Sequence, residues 1–270
     1  MTTAIPPCLV NLRAAATDTK TGMTTITHIR RTRAAPTNTI DYGDTMTTNS
    51  VTEQLTEAGR AIEHDSFAVI DAEAGPHNYS AEQWPLVRRM IHANADFEFN
   101  GLTAFHPDAM RAGFQAVLKG NTPIVADVEM ICVGLSKPRL QHFGLSTHHY
   151  ISDADVIAQA RLENSTRAVQ AMRKAHRLGK LDGAIVGIGN APTALIELVR
   201  LIREEGVRPA LVVAMPVGFV SAAESKDLMM TLNEVPWVAI KGRKGGSTLV
   251  VAAIHAMLSL AEAEQNKQAA

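Results

Sequence analysis

The sequence is poor in the features on which several familiar kinds of protein depend. It has only two cysteines, Cys8 and Cys132, in 270 residues. That is too few for a disulfide framework or a four-cysteine zinc site, so the expected setting is reducing and cytoplasmic. Neither charge sign dominates, with 26 Lys and Arg against 27 Asp and Glu. The balance excludes a chain-wide basic field for nucleic acid or an anionic membrane, while leaving room for a local basic pocket. Uninterrupted apolar runs such as Ala210 to Pro216 fall far short of the roughly 20 residues that span a bilayer as a helix. What is present is ordinary: 46% hydrophobic and 20% charged residues, the proportions of a soluble globular chain long enough for one large domain or two small ones.

Composition changes once, near Met46. Residues 1–45 are rich in threonine, carry scattered prolines and the basic cluster Arg30, Arg31 and Arg33, and show neither helical nor strand periodicity. A stretch of this kind buries too little apolar surface to offset its ordering entropy. Asp18 and the lack of an amphipathic stripe speak against a transit peptide. The expectation is a disordered or upstream extension, with Met46 as the start of a single domain over 46–270.

From Val51 the apolar spacing is regular. It predicts helices over 51–74 (Leu55, Ile62, Phe67 and Ile70 on one face), 80–95 and 107–120. A short buried strand is predicted at 124–128, a poorer one within 141–151, and a long helix over 153–178 that stops at Gly179. The last third is clearer. Strands at 183–188, 210–215 and 237–240 are each followed by a Gly- or Pro-containing turn and a helix, the last running from Ser247 to about Glu264. Three β–loop–α units in succession predict an α/β fold with a mostly parallel sheet covered by helices on both faces. Right-handed crossovers then bring the three loops to one carboxyl edge, where such sheets bind ligands.

The loops narrow the ligand. Gly187-Ile-Gly189-Asn-Ala-Pro192 begins like a dinucleotide fingerprint, but Pro192 replaces the third glycine and the next strand ends in Met215-Pro216 instead of a ribose-binding acid. Gly242 to Gly246 is not a P-loop, since Gly246 is followed directly by Ser247. Three helix N-termini behind loops 189–193, 216–225 and 242–247 suit an anion, and Arg243 and Lys244 add charge, although tight βα turns alone would also account for the glycines. His148 and His149, adjacent on a strand, would face opposite ways and cannot chelate one metal. No H-E-x-x-H or C-x-x-C spacing occurs, so no bound metal is expected. His92 lies near a helix end with Arg89 one turn before it. Spacing alone leaves two accounts of it: a histidine held by the helix dipole, or a proton donor beside an arginine that binds an acidic substrate. Glu63, Asp65 and Ser66 fit an exposed polar helix face equally well.

Taken together, these segments resemble the precorrin-8X methylmutase family of cobalamin biosynthesis. The resemblance rests on Ala61-Ile-Glu-x-x-Ser-Phe67, Arg89-Met-Ile-His-Ala93, Asp127-x-x-Met130 with Gly134, and Ser165-Thr-Arg167. It continues through Gly189-Asn-Ala-Pro-Thr-Ala194, Pro216-Val-Gly-Phe-Val220, Ala223-Glu-Ser-Lys226 and Gly242-Arg-Lys-Gly-Gly-Ser247. The matches keep their order over about 200 residues, which makes the set specific although each is short.

The resemblance implies an isomerase that moves a methyl group from C-11 to C-12 of an acidic tetrapyrrole, giving hydrogenobyrinate, or cobyrinate when cobalt is in the ring. It places the family's proton-transferring histidine on His92 and substrate contacts on Ser66 and Arg89, with Arg167 facing a peripheral carboxylate. Asn190, Arg243 and Ser247, inside the matched loops, complete the expected substrate-binding set. No separate cofactor is implied, and the family is expected to be homodimeric, with the macrocycle near the subunit interface. Glu63 stands where the oxygen-dependent branch tends to carry tyrosine. This and the Ile91 to Asp96 run lean toward cobalt-precorrin-8 as substrate. His255 stands where the family usually has asparagine.

Overall fold

The computed structural model describes residues 56–269. The expected extension 1–45 lies outside them, as do residues 51–55, with Leu55, of the first expected helix. Helix α1 (Glu57–Glu73) begins where the Gly59 N–H donates to the Thr56 hydroxyl at 3.1 Å. Helix α2 (Trp84–Asn94) follows a turn in which Ser80 and Gln83 cap one another through reciprocal backbone-to-side-chain bonds of 3.0 and 3.2 Å. A kinked segment, α3 (Phe99–Leu102), leads into β1 (Thr103–Phe105) and α4 (Ala109–Lys119). Next come β2 (Pro123–Ala126), the short helices α5 (Glu129–Gly134) and α6 (Lys137–His142), and β3 (Ser146–His148). Helices α7 (Ala154–Leu162) and α8 (Arg167–Arg177) precede the repeating part of the fold. That part comprises β4 (Ile185–Ile188), α9 (Pro192–Glu204), β5 (Leu211–Ala214), α10 (Ala222–Met230), β6 (Trp237–Ile240) and α11 (Ser247–Ala269).

The six strands form one sheet in the order β1-β6-β5-β4-β2-β3. Every neighbouring pair is parallel except β1 with β6. Period-2 alternation divides the side chains between two cores. Ile124, Ala126, Ile185, Leu211, Val213, Val238 and Ile240 meet α2, α4 and α11 on one face. Val125, Val186, Ile188, Val212, Ala214, Trp237 and Ala239 meet α8, α9 and α10 on the other. The fold is thus the expected α/β sheet with helices on both faces.

Several local expectations change. The 153–178 helix is two helices. Asn164 takes φ +49°, and Thr166 accepts the Val169 N–H at 3.2 Å to start a new one. Arg167 therefore sits at the first turn of α8 and not in a helix interior. The 141–151 strand shrinks to β3, because 137–142 is helical and His149 falls beyond the strand. Ile62, expected on the buried face of α1, is 67% exposed, and Ile70 is the buried residue there. Strand β1 was not foreseen; three residues on an edge give too short a period to read. By length and composition alone α11 could cross a membrane, but Leu249, Val250, Ile254, Met257 and Leu258 on it are buried in the core.

Strands β3 and β5 lie on opposite sides of the β2–β4 pair, so the chain reverses its direction of winding there. Asp127, directly after β2, spans that point. The N–H of Gly189 donates to its Oδ1 at 3.0 Å, and those of Asn190 and Ala191 donate to its Oδ2 at 2.8 and 2.7 Å. Its own N–H donates to the Gly187 carbonyl at 3.1 Å. Asp127 is fully buried. Burial pushes its carboxyl pKa up, against the pull of the amide donors. Replacing it by Asn would turn one acceptor into a donor facing amide N–H groups. Asp127→Asn is expected to lower unfolding stability by about 2 to 4 kcal/mol in urea titrations, whereas loss within about 0.5 kcal/mol would mean the amides find water instead.

Candidate active site

Two helices build the first part of the site. Ser66 and Phe67 lie on α1, Arg89 and His92 on α2. The rings of Phe67 and His92 meet edge to face with centroids 5.3 Å apart. The guanidinium groups of Arg88 and Arg89 lie 4.5 and 6.0 Å from the Phe67 ring centroid. Arg89 Nη1 donates to Glu63 Oε1 at 2.9 Å, and the two side chains are 14% and 20% exposed. Glu63 is therefore no part of a solvated polar face, in contrast to the neighbouring His64 and Asp65. The Ser66 hydroxyl donates to the Ile62 carbonyl at 2.7 Å. His92 is exposed in the last helical turn, before Ala95 ends α2 in the left-handed region. Its imidazole can meet a ligand beside Arg89, an arrangement suited to proton transfer next to an anion.

The end of α2 is tied to the carboxyl edge of the sheet. Thr248, in the first turn of α11, donates to the Asn94 side-chain oxygen at 3.3 Å. Lys244, in the loop after β6, pairs with Asp96 and, at 3.0 Å, with Glu98. Its hydrogen bond holds the Asp96 carboxyl below the usual carboxylate range, and the two acids raise the Lys244 pKa. Beneath this loop Lys226, on α10, is fully buried and donates to the Lys244 carbonyl at 2.6 Å. Burial lowers its ammonium pKa to about 8.

The glycine loops behave differently from the expectation of free anion-binding amides. At 189–191 the N–H groups are already taken by Asp127. A pyrophosphate would need those same donors, so Asp127 itself excludes the dinucleotide reading. Gly189 is required by close approach: a Cβ there would stand 2.7 Å from the Ser247 Cα. Gly245 is tighter still, since a Cβ there would overlap the Met215 carbonyl oxygen. These contacts press the loops after β4, β5 and β6 together. On the rim Asn190 and Arg243 are exposed and Ser247 is half-buried. Arg243 lies 5.7 Å from the centroid of Phe219, which is 83% exposed beside Val220 at 82%.

The comparisons with known proteins fall on this same region. The family model for precorrin-8X methylmutase matches residues 61–260. The chain belongs to that family. Its relatives include a cobalt-precorrin-8 methylmutase of Leptospira interrogans, 50% identical over 77% of this chain and 96% of its own length. One from Priestia megaterium is 50% identical over 77% of this chain and 91% of its own length. A crystal structure of precorrin-8x methyl mutase from Thermus thermophilus superposes with a TM-score of 0.69. It is 50% identical and covers 75% of this chain and 98% of that one. The chain is accordingly a methylmutase, an isomerase of cobalamin biosynthesis.

In this methylmutase the named residues fall into three groups. Ser66, Arg89 and His92 share the α1–α2 corner. Asn190, Arg243 and Ser247 line the loop edge. Arg167 is exposed at the start of α8, where the adjacent Thr166 hydroxyl bonds to that of Thr193 at 3.0 Å, near the turn after β4. His255 accepts the Ser136 N–H on Nε2 at 3.0 Å. Among the described residues no group of three His, Cys, Asp or Glu side chains is arranged to hold a metal ion.

Sequence reasoning missed the clamp at Asp127, the Glu63–Arg89 pair and the burial of Lys226. Asp127 had a signal, an acid directly after an apolar strand, but its partners lie 62 to 64 residues away. Lys226 had none, because α10 has no strong apolar face to mark its inner side. The Lys226 shift carries a definite sign: with a folded pKa near 8 against an unfolded value of 10.5, the unfolded chain binds more protons between those values. Stability should therefore rise with pH across that window, by up to about 3 kcal/mol. Urea titrations of Lys226→Met at pH 7.5 and 10 should lack this increment; an equal rise in the variant would assign it to other groups.

Proposed function

We propose that this methylmutase moves the methyl group from C-11 to C-12 of precorrin-8X or cobalt-precorrin-8, forming hydrogenobyrinate or cobyrinate. The observation that carries the reading is the exposed His92 imidazole beside Arg89 and the Phe67 ring in a chain of this family. His92 gives a proton to the conjugated ring and takes one back. Protonation redistributes the ring electrons and lowers the barrier to migration. The methyl bond to C-11 breaks as the bond to C-12 forms, so no electrons are gained or lost and no cofactor is called for. Arg89 and Arg167 hold carboxylates of the macrocycle, and Ser66 hydrogen-bonds it. Asn190, Arg243 and Ser247 bind its periphery at the loop edge. Arg243 over Phe219 offers a cation beside an apolar surface, which matches a flat ring fringed with acids.

The name cobalt-precorrin-8 methylmutase, borne by the Leptospira and Priestia relatives, supports the cobalt-containing substrate, whereas the equally similar Thermus protein bears the name precorrin-8x methyl mutase. The working form is read as a cytoplasmic homodimer, with no nucleic-acid or membrane partner. The exposed Phe219 and Val220 offer an apolar surface for a second copy to cover. Anaerobic incubation with metal-free and with cobalt-containing precorrin-8, followed by absorbance spectra, tests the reaction and the substrate together. A corrin-like spectrum from the cobalt form is the expected result; binding without conversion would make the chain a corrinoid carrier. His92→Ala should lose turnover by about 100-fold or more while keeping its circular dichroism and its affinity for the product. Loss of folding in that variant would return His92 to a helix-end role.

A further inference from the structure

Both arginines on the inner side of α2 already have acids. Arg88 Nη1 pairs with Asp71 at 2.7 Å, and Arg89 Nη1 pairs with Glu63 at 2.9 Å. The two pairs differ in setting. Asp71 is 41% exposed, whereas Glu63 is 20% exposed and its Arg89 partner 14%, so the second pair is the less screened by water. Glu63 also stands one turn before Ser66 and Phe67 on α1, on the side that faces His92. A carboxylate arriving at Arg89 therefore meets a guanidinium whose charge is already compensated.

We propose that Glu63 is a specificity-determining residue that acts through Arg89: it neutralises the guanidinium in the free enzyme and so makes the α1–α2 corner reject small anions that cannot replace it. The inference rests on the reading of Arg89 as a contact for a substrate carboxylate. A macrocycle anchored at several points offsets the loss of the Glu63 contact with its other interactions. A small polyanion has no such anchors and is held off by the Glu63 charge. Discrimination thus comes from a repulsive element beside the attractive one.

The experiment compares Glu63→Gln, Glu63→Asp and Arg89→Met with the parent enzyme. KM and kcat are measured for the proposed macrocyclic substrate at two ionic strengths, and citrate is used as a small competing polyanion. Glu63→Gln keeps a hydrogen-bonding group but drops the charge. It should lower KM by about two- to fivefold, strengthen citrate inhibition, and make KM rise more steeply with salt. Its effect on kcat should be smaller than its effect on KM. Glu63→Asp keeps the charge and should stay close to the parent in all three. An increase in KM in both Glu63 variants, with an unchanged salt slope, would reduce Glu63 to an anchor for Arg89 and overturn the proposal. Arg89→Met separates the two readings. If it leaves KM unchanged, Arg89 is no substrate contact and the premise fails; if it raises KM while Glu63→Gln does not lower it, only the role of Glu63 fails.

Discussion

The position of the loop edge depends on a buried carboxylate. Asp127 gathers three successive amide N–H groups from the turn after β4 and holds them against the end of β2, where the winding of the sheet reverses. An ionised acceptor bonded to several amides is stronger than a neutral one, and in a dry interior its loss leaves donors unsatisfied. With the 189–191 turn fixed, Gly189 lies against Ser247 and Gly245 against Met215, so the turns after β4, β5 and β6 have one mutual arrangement. In many α/β proteins a helix N-terminus at such a turn receives a ligand anion. Here Asp127 takes those amide donors, and the polar groups left exposed at this edge are side chains.

The exposed charged and aromatic side chains accordingly gather outside the turn after β4. The α1–α2 corner brings Arg89, Phe67 and His92 together, and Lys244 links the far end of α2 to the loop after β6 through Asp96 and Glu98. Lys226 supports the same loop from below through the Lys244 carbonyl. The α1–α2 corner and the loop edge are thereby connected by charge-assisted contacts, although they are far apart in the sequence. Burying an ammonium under the loop costs stability near neutral pH, and the gain is a fixed backbone at the rim.

Charge at the corner is also managed locally. Arg88 and Arg89 stand side by side on α2, and each is matched by an acid on α1, eight positions apart in sequence: Asp71 and Glu63. Two uncompensated guanidinium groups next to one another would repel and would attract any anion. Pairing them lets the corner present arginines without a strong general field. The balanced composition of the whole chain is repeated on this small scale.

The sequence by itself determined the sheet and its direction. Repeated apolar strands, Gly or Pro turns and amphipathic helices over 183–264 permit only a parallel α/β arrangement, and the ordered motifs identify the family, because both signals are local or collinear. It likewise marked Arg89 and His92 as neighbours, since they lie one turn apart on one helix. Where the signal was short or conditional it failed: β1 is a three-residue edge strand, and the break at Asn164 needs a left-handed residue that helix propensity does not reveal. The tertiary structure alone decided which groups compensate which. Asp127 meets amides 62 to 64 positions later, Glu63 meets an arginine 26 positions later, and Asp96 meets a lysine 148 positions later. Charges along a chain carry no record of their partners. Pairing is set by how helices pack on the sheet, and only the packed fold shows that the loop amides are occupied and the corner is neutralised.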